Sequence, residues 1–586
     1  MPHHVKRWRL KPAPEAAAVR ELTYERCPES AASLLAQRGI ADKRMAAHFF
    51  RPSLADLHDP FLMAGMLRAV ERIEQALAEN ERIMVYGDYD VDGTTAVALV
   101  YGFLARFTGN LSFYIPDRYS EGYGISFQGI DKAEGEGVRL IIALDCGIKA
   151  NDKVAYASER GIDFIICDHH LPGAELPKSV AVLDPKRADC PYPFKELSGC
   201  GIGFKLMQGF AQRNGIPFED LESSLDLVAI STACDIVPVT GENRILSHFG
   251  LKQINDQPRH GVRAIMGMAG VKKRLGVGDL VFAIGPRINA AGRIEHGRQA
   301  VELLLAHDEK HAASAAALVD GNNSHRQELD RSITEEALAC FDDDAWLREA
   351  WSTVVFSKNW HKGVVGIVAS RLVERHYRPT VVLTESNGKA VGSARSVRGF
   401  DVYEAVSACS DLLEQFGGHM YAAGLTMPLE NVQAFRERFE AAVRTMIQPE
   451  QRVPEEDVDL ELRLDAIDDG LLRVVRHMAP YGPGNMRPVF LGRGVVDTGS
   501  ARLVGEHHLK MRLAHSDDLR RSFDAIAFKQ AHWLDLVKSG QPFSVLYAIE
   551  DHEWQGRVST QLNIKDIKPG TEGLLVGERM MEELNR

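Results

Sequence analysis

The sequence predicts a multidomain α/β protein: a parallel-sheet domain, a long connecting helix, a smaller α/β domain and a C-terminal all-β domain. Three observations predict it. The 586 residues exceed what one core holds at roughly 100–200 residues per domain, so about three or four domains are expected. Between about Arg82 and Asp235, the β-rich runs Ile83–Tyr86, Leu111–Ile115, Arg139–Leu144 and Phe164–Cys167 alternate with amphipathic stretches, the pattern of βαβ units on a parallel sheet. Beyond QPEQRVPEED come short strands (VDLELRL, RGVVDTG, HLKMRLA, FDAIAF, FSVLYAI) separated by turns, which suit a small barrel or sandwich, with an OB-like barrel preferred.

In order, residues 1–75 read as an N-terminal extension packing on the core, 76–310 as the parallel-sheet domain and 311–345 as the connecting helix. The stretch NNSHRQELDRSITEEALA is charged and free of Gly and Pro, as a long exposed helix joining two lobes requires, although an ordinary surface helix has the same composition. Residues 346–447 repeat the α/β pattern on a smaller scale through VVFS, a helix around Val364–His376, TVVLTE and AVGSAR. Residues 448–575 hold the all-β domain.

The formal net charge of −12 opposes the basic surface usual in nucleic-acid binders, an objection that weakens if acids cluster at metals while basic residues line a local track. Eight scattered cysteines include no C-x-x-C pair, which argues against a zinc site or disulfide framework. Without a leader peptide or a run of ~18 apolar residues, a cytoplasmic protein with no membrane association is expected.

Asp88, Asp90 and Asp92 alternate in GDYDVDG, directly after a strand run. Three hard carboxylates in a tight loop, at the sheet edge where ligands of parallel sheets bind, suit Mg²⁺ or Mn²⁺. An EF-hand loop also opens D-x-D-x-D-G but closes on a glutamate, and the corresponding residue counted from Asp88 is Leu99. A solvated acidic turn remains open for the motif taken alone. Asp145 ends the run RLIIAL, and Asp168-His169-His170 ends FIIC, so both fall at the same expected edge. A lone histidine is more often structural than ligating; the company of four other acids favours ligation. Asp235, closing LDLVAISTAC, reads by itself as a helix terminus.

GDYDVDG, LDCG, CDHH and STACDIVP, in that order, resemble the four motifs of the DHH phosphoesterase superfamily. The resemblance implies two divalent ions, Mn²⁺ or Mg²⁺. Asp88, Asp90, Asp145 and Asp235 match one site, and Asp92, Asp145, His169 and Asp235 the other, so that Asp145 and Asp235 bridge. In a two-metal phosphoesterase, ions roughly 3.5–4 Å apart activate water and stabilise the leaving oxygen. His170 is then free to donate a hydrogen bond or proton to the phosphate, and Asp168 to orient a histidine.

Phe416-Gly417-Gly418-His419, followed by Ala422-Ala423-Gly424, resembles the glycine-rich signature of the DHH-associated domain. Glycines admit backbone amides close to phosphate, and His419 can reach the scissile group, whereas a lone GGH would mark only a turn. The strings PDR at 116–118, EGYG at 121–124, GPRINAAGR at 285–293 and SARS at 393–396 resemble motifs of the superfamily's single-strand exonucleases. That likeness implies that Arg118, Ser393 and Arg395 grip a terminal 5′-phosphate, Tyr123 stacks on a base and Arg293 contacts the strand backbone. With a cleft too narrow for duplex, 5′→3′ digestion of single-stranded DNA to mononucleotides is expected.

In the barrel, Arg502, Lys510, Arg512 and Lys529 are candidates for an electropositive groove, although such charges are commonly just solvated. The likeness further implies recombination and repair, with a helicase and single-strand-binding protein as partners; a monomer is expected because no heptad run appears. Three alternatives stand beside this reading. A DHH enzyme for oligonucleotides or cyclic dinucleotides would not need the sequence before Arg82 and after Met446. A pyrophosphatase has no purpose for GGH, and a scaffold with decayed metal motifs would not retain all six proposed ligands.

Overall fold

The computed structural model describes residues 5–554 and 557–570. It divides into two compact units: residues 47–326 with 478–486, and the described parts of 1–46, 327–477 and 487–586. The first strand, β1 (Arg7–Leu10), lies in the second of these, and the next five build the other: β2 (Arg82–Gly87), β3 (Leu111–Tyr114), β4 (Val138–Leu144), β5 (Asp163–Cys167) and β6 (Ala181–Leu183). They form a wholly parallel sheet in the order β3-β2-β4-β5-β6.

Alternate residues of these strands serve two apolar layers. Ile83, Val85, Leu140, Ile142, Leu144 and Ile165 face one, and Met84, Tyr86, Ile141, Ala143, Phe164 and Ile166 the other. Burial on both faces explains why the strands read as unbroken apolar runs rather than alternating ones. Helices Val91–Leu104 and Leu225–Cys234 are apolar on nearly every side and sit inside the first layer.

The connecting helix runs Glu309–Asp343, 35 residues, and the division between the units falls within it, after Arg326. At ~1.5 Å per residue it is about 52 Å long.

The smaller α/β domain contains β7 (Thr353–Ser357), β8 (Thr380–Ser386), β9 (Lys389–Arg395), β10 (Gln415–His419) and β11 (Ala422–Pro428), ordered β10-β11-β9-β8-β7. Only β7 and β8 run parallel. The glycine-rich signature is therefore a strand of a tight hairpin rather than an isolated turn.

β12 (Glu455–Val458) pairs in parallel with β1 in a separate two-stranded sheet, whereas β13 (Leu460–Glu461) pairs in parallel with β14 (Phe490–Asp497). With β15 (Arg502–Val504), β16 (His508–His515), β17 (Asp518–Ala527), β18 (Phe543–Trp554) and β19 (Arg557–Pro569), these make the C-terminal sheet. Pairings β14–β16, β16–β17, β17–β19, β19–β18 and β18–β14 close five strands on themselves, with only β17–β19 parallel. This is an OB-type barrel. The expected domain end at residue 575 lies outside the described residues.

The N-terminal extension expected over 1–75 is divided. Its described residues up to 46 belong to the unit that holds the barrel, and those from 47 onward to the unit that holds the parallel sheet. The reason is charge and one aromatic anchor. Lys6 pairs with Glu456 (2.6 Å), Arg9 with Asp457 (2.8 Å) and Lys11 with Asp459 (2.8 Å), while buried Trp8 donates its indole N–H to Asp566 (2.7 Å).

Candidate metal centre

The loop after β2 turns into helix Val91–Leu104 through Asp90, whose carboxylate accepts the Gly93 amide (3.0 Å) and so caps the helix. A Cβ at Gly93 would stand 2.4 Å from the Asp88 carbonyl oxygen, so only glycine lets the loop close. Closure buries Asp88, whose side-chain oxygens accept no well-formed hydrogen bond among the described residues.

Asp145 follows β4 in the left-handed region (φ 59°), its amide donating to the Cys167 carbonyl (2.8 Å). Gly199 makes room for it, since a Cβ there would lie 2.6 Å from that of Asp145. Asp92 is held by three donors from two other segments: the amides of Gly199 (2.6 Å) and Cys200 (2.7 Å) at the start of helix Gly199–Arg213, and the Ser231 hydroxyl (2.6 Å). Sequence reasoning missed these supports. Their one signal was Ser198-Gly199-Cys200-Gly201, a capping serine and small residues opening a helix.

Asp235 ends helix Leu225–Cys234, and the next residue, Ile236, is β-branched, left-handed (φ 61°) and 65% exposed. Such backbone is strained and concentrates at functional sites. His169 closes the group, with Nε2 3.2 Å from Asp145 Oδ1, 3.5 Å from Asp235 Oδ2 and 3.7 Å from Asp92 Oδ2.

All six sequence-predicted ligands thus gather in one unit. Their donor atoms fall into sets within 4.8 Å of one another: Asp88, Asp90 and Asp145; Asp92, His169 and Asp235; and Asp145, His169 and His170. Burial, then mutual repulsion, holds Asp88, Asp90 and Asp145 above the usual carboxylate range. Burial followed by the charges of Asp92 and Asp90 pushes Asp235 up to about 8. Burial draws His169 down, leaving the neutral imidazole that ligates metals. Repelling acids with orphaned buried oxygens, beside a neutral imidazole, fit divalent cations of the Mn²⁺ or Mg²⁺ type.

These shifts make the metal-free protein sensitive to pH. Without metal the folded chain keeps protons on these acids that the unfolded chain releases above pH ~4. Their contribution to stability is therefore full at low pH and is lost as pH rises through the folded value, about 8 for Asp235. In EDTA, the melting temperature of the parent relative to Asp235→Asn is expected to fall from pH 5 to 9, and saturating Mn²⁺ should abolish the decline. A difference independent of pH in EDTA would refute the cause.

Asp168 stands in none of these sets. Its Oδ1 accepts from the His169 amide (2.8 Å), the His170 amide (3.1 Å) and His170 Nδ1 (2.7 Å), and its Oδ2 from the Ile148 amide (2.9 Å). Burial opposes charge on His170, but the bond to Asp168 and the charges of Asp168, Asp235 and Asp92 outweigh it, lifting His170 to about 9. Tyr123, 56% exposed, has its hydroxyl 3.3 Å from His170 Nε2. Arg118 lies over the Tyr89 ring (4.9 Å), Tyr89 meets Tyr123 edge-on (6.3 Å), and the Arg293 carbonyl accepts the Tyr119 hydroxyl. The predicted contacts Arg118, Tyr123 and Arg293 thus belong to this unit.

The remaining predicted residues belong to the smaller α/β domain. Strand register places Ser393 opposite Gly424, itself opposite Gly417, and Arg395 opposite Ala422, itself opposite His419. Pairing in line puts all of them on one face. A side chain at Gly417 or Gly424 would meet nothing within 4 Å, so both glycines leave that face bare. At Gly418 (φ 154°) a Cβ would strike the Ala422 carbonyl at 2.3 Å. Arg395 Nη1 donates to Ser393 Oγ (2.6 Å).

The chain matches the models of the DHH family, N-terminal domain, over residues 82–232, the DHHA1 domain over 350–445 and the RecJ OB domain over 458–566. It is 37% identical over 566 residues to the single-stranded-DNA-specific exonuclease RecJ of Bacillus subtilis, covering 96% of this chain and 70% of that protein. To the RecJ of Escherichia coli it is 33% identical over 528 residues, covering 86% and 91%. The crystal structure of RecJ in complex with Mn²⁺ from Thermus thermophilus superposes with a TM-score of 0.82 at 29% identity, over 96% of this chain and 79% of that one. From the order of its three domains and these likenesses along its length, the chain belongs to the RecJ family of DHH proteins.

Proposed function

We propose that this protein is a single-stranded-DNA-specific exonuclease, digesting 5′→3′ to mononucleotides by two-metal-ion phosphodiester hydrolysis in DNA recombination and repair. The observation that carries the reading is the convergence of Asp88, Asp90, Asp92, Asp145, His169 and Asp235 on two adjoining ligand sets, in a chain of the RecJ family. Asp88, Asp90, Asp145 and Asp235 would hold one ion, and Asp92, Asp145, His169 and Asp235 the other. Bound there, divalent ions supply an activated water and charge stabilisation at the leaving oxygen.

The protein's own groups do the rest. Asp168 fixes the Nδ1 proton of His170, so Nε2 presents its proton outward for the phosphate. Arg118, Ser393 and Arg395 bind the terminal 5′-phosphate, guanidinium groups matching its oxygens in pairs. Tyr123 stacks on a base without sequence preference, Arg293 holds the backbone, and Gly417 and His419 provide a phosphate-accepting strand face, with Gly418 between them allowing the close backbone pairing that shapes it. The barrel adds contacts to a longer strand, which favours a polymer over a dinucleotide. A helicase and single-strand-binding protein would supply that strand to a monomer in the cytoplasm. Among the described residues no helix is long and apolar enough to cross a membrane.

The test compares Mn²⁺-dependent nucleotide release from a long 5′-phosphorylated single strand, a blunt duplex and a dinucleotide, with Asp92→Ala as control. Release from the single strand alone, abolished in the variant, is expected. Arg395→Ala should raise KM at least tenfold for the 5′-phosphorylated strand and leave a 5′-hydroxyl strand unchanged. A long strand that survives while the dinucleotide is cleaved would replace the exonuclease by an oligonucleotide phosphodiesterase.

A further inference from the structure

Residues 478–486, Met-Ala-Pro-Tyr-Gly-Pro-Gly-Asn-Met, form a strap. They belong to the parallel-sheet unit, although the chain up to His477 and from Arg487 belongs to the other. Arg244 fastens it. This side chain stands in the first turn of helix Gly241–Asp256 and is 5% exposed. Its Nη1 donates to the carbonyls of Met478 (2.8 Å) and Pro480 (3.3 Å), its Nη2 to those of Ala479 (3.0 Å) and Phe49 (3.1 Å), and its Nε to Phe49 (3.2 Å). A cation at a helix N-terminus opposes the helix dipole, so these carbonyls compensate both its burial and its position. Asn485 Nδ2 donates to the same Met478 and Pro480 carbonyls (2.9 Å each), closing the strap on itself.

The middle of the strap lies on the segment that follows Asp235. The Val239 amide donates to the Pro483 carbonyl (2.7 Å). A Cβ on Gly482 would stand 2.4 Å from Val239 Cγ2, and one on Gly484 2.9 Å from Thr240 Cγ2. From the helix side, Asn243 Nδ2 donates to the Pro238 carbonyl (3.0 Å). Between these clamps and Asp235 stands the left-handed Ile236, whose exposed side chain does not pin the backbone by packing. Strained backbone persists only where its surroundings over-determine it, and here the determining contacts are those at Pro238 and Val239.

We propose that Arg244 and the strap are positioning elements that hold the Asp235 carboxylate in place for metal, acting through Val239 and the strained Ile236. This rests on the assignment of Asp235 as a metal ligand. Gly482 is the sensitive point, because the Val239 side chain packs directly against it and leaves no room for a Cβ.

The experiment uses the full chain and four variants: Gly482→Ala, Gly482→Ala with Val239→Ala, Arg244→Met, and Asp235→Asn as reference. Mn²⁺ binding is followed by the electron paramagnetic resonance of the free ion, and the segment 236–246 by hydrogen exchange. Gly482→Ala is expected to weaken, at least fivefold, the Mn²⁺ binding that Asp235→Asn weakens, to speed Val239 amide exchange at least tenfold, and to lower kcat with KM for the strand unchanged. Trimming Val239 in the double variant should restore all three to within twofold of the parent, a rescue that a general loss of folding would not give. Arg244→Met should reproduce the Gly482→Ala pattern with a larger loss. If Gly482→Ala binds Mn²⁺ like the parent while Asp235→Asn does not, the strap has no positioning role. If Asp235→Asn itself binds Mn²⁺ unchanged, the ligand assignment fails first and the proposal with it.

Discussion

Asp145→Asn is expected to slow strand degradation by about 10³-fold, about 4 kcal/mol of barrier, while raising the melting temperature of the metal-free protein. Asp145 stands in two of the three sets of converging ligand atoms, with Asp88 and Asp90 in one and with His169 and His170 in another, and is proposed to hold both ions, so its loss would weaken both rather than one. Asparagine is the informative replacement because, like aspartate, it tolerates the left-handed backbone that residue 145 adopts (φ 59°). The stability gain has a separate cause. In the metal-free protein the Asp145 carboxylate is buried and faces Asp92, Asp90, Asp235 and Asp88, which together hold it well above its ordinary range. A neutral amide of nearly the same shape removes that repulsion. Single-turnover rates on a 5′-phosphorylated strand and thermal melts in EDTA measure the two effects. Activity within tenfold of the parent would remove Asp145 from the reaction, and a lower metal-free melting temperature would contradict the electrostatic account.

His170→Ala is expected to lower kcat by about 10²-fold, the lower end of what a positioned general acid contributes. The diagnostic variant is Asp168→Asn. With Asp168 ionised, His170 titrates at about 9 in the metal-free chain, and a neighbouring cation can only lower that value. An acid must be protonated to act, so kcat should decline on the alkaline side, with its midpoint at or below about 9. Exchanging Asp168 for asparagine removes the largest influence that raises His170, and the midpoint should move down toward an ordinary histidine value, about 6.5. A profile in which the alkaline limb stays in place would mean that His170 is not the group being read. Asp168→Asn also leaves the other carboxylates in place, so Mn²⁺ binding should persist and separate this effect from loss of metal.

How much of this was legible beforehand differs from element to element. The four strand runs between Ile83 and Cys167 correspond closely to β2, β3, β4 and β5, because both faces of that sheet are buried and the sequence must be apolar throughout. The short β6 went unread, having only Ala181, Val182 and Leu183 to announce it. Asp235 gave no signal of its own, since an acid closing an apolar helix looks like any helix end. Its meaning appears only when His169 is seen 3.5 Å away. Gly199, Cys200 and Ser231 were invisible for a related reason: amides and a hydroxyl that hold Asp92 leave little trace in side-chain chemistry. The hairpin of β10 and β11 escaped because glycine has poor strand propensity, yet here bareness is what the strand face offers. Pairing of β1 with β12 joins residues 448 positions apart in sequence, beyond the reach of any local pattern.

That last pairing bears on how the protein can be taken apart or recombined. The barrel looks like a detachable cassette at the end of the chain, but Trp8 fills a slot among Val458, Leu491 and Leu546 and bonds to Asp566. A gene fragment beginning at residue 448 would encode β12 with no neighbour, its acids stripped of Lys6, Arg7 and Arg9, and an open apolar slot in the barrel wall. Unpaired edges of that kind invite association with other chains. The barrel depends on two segments far apart in the sequence, so a transplant would have to carry Arg7–Leu10 along with the strands from Glu455 onward.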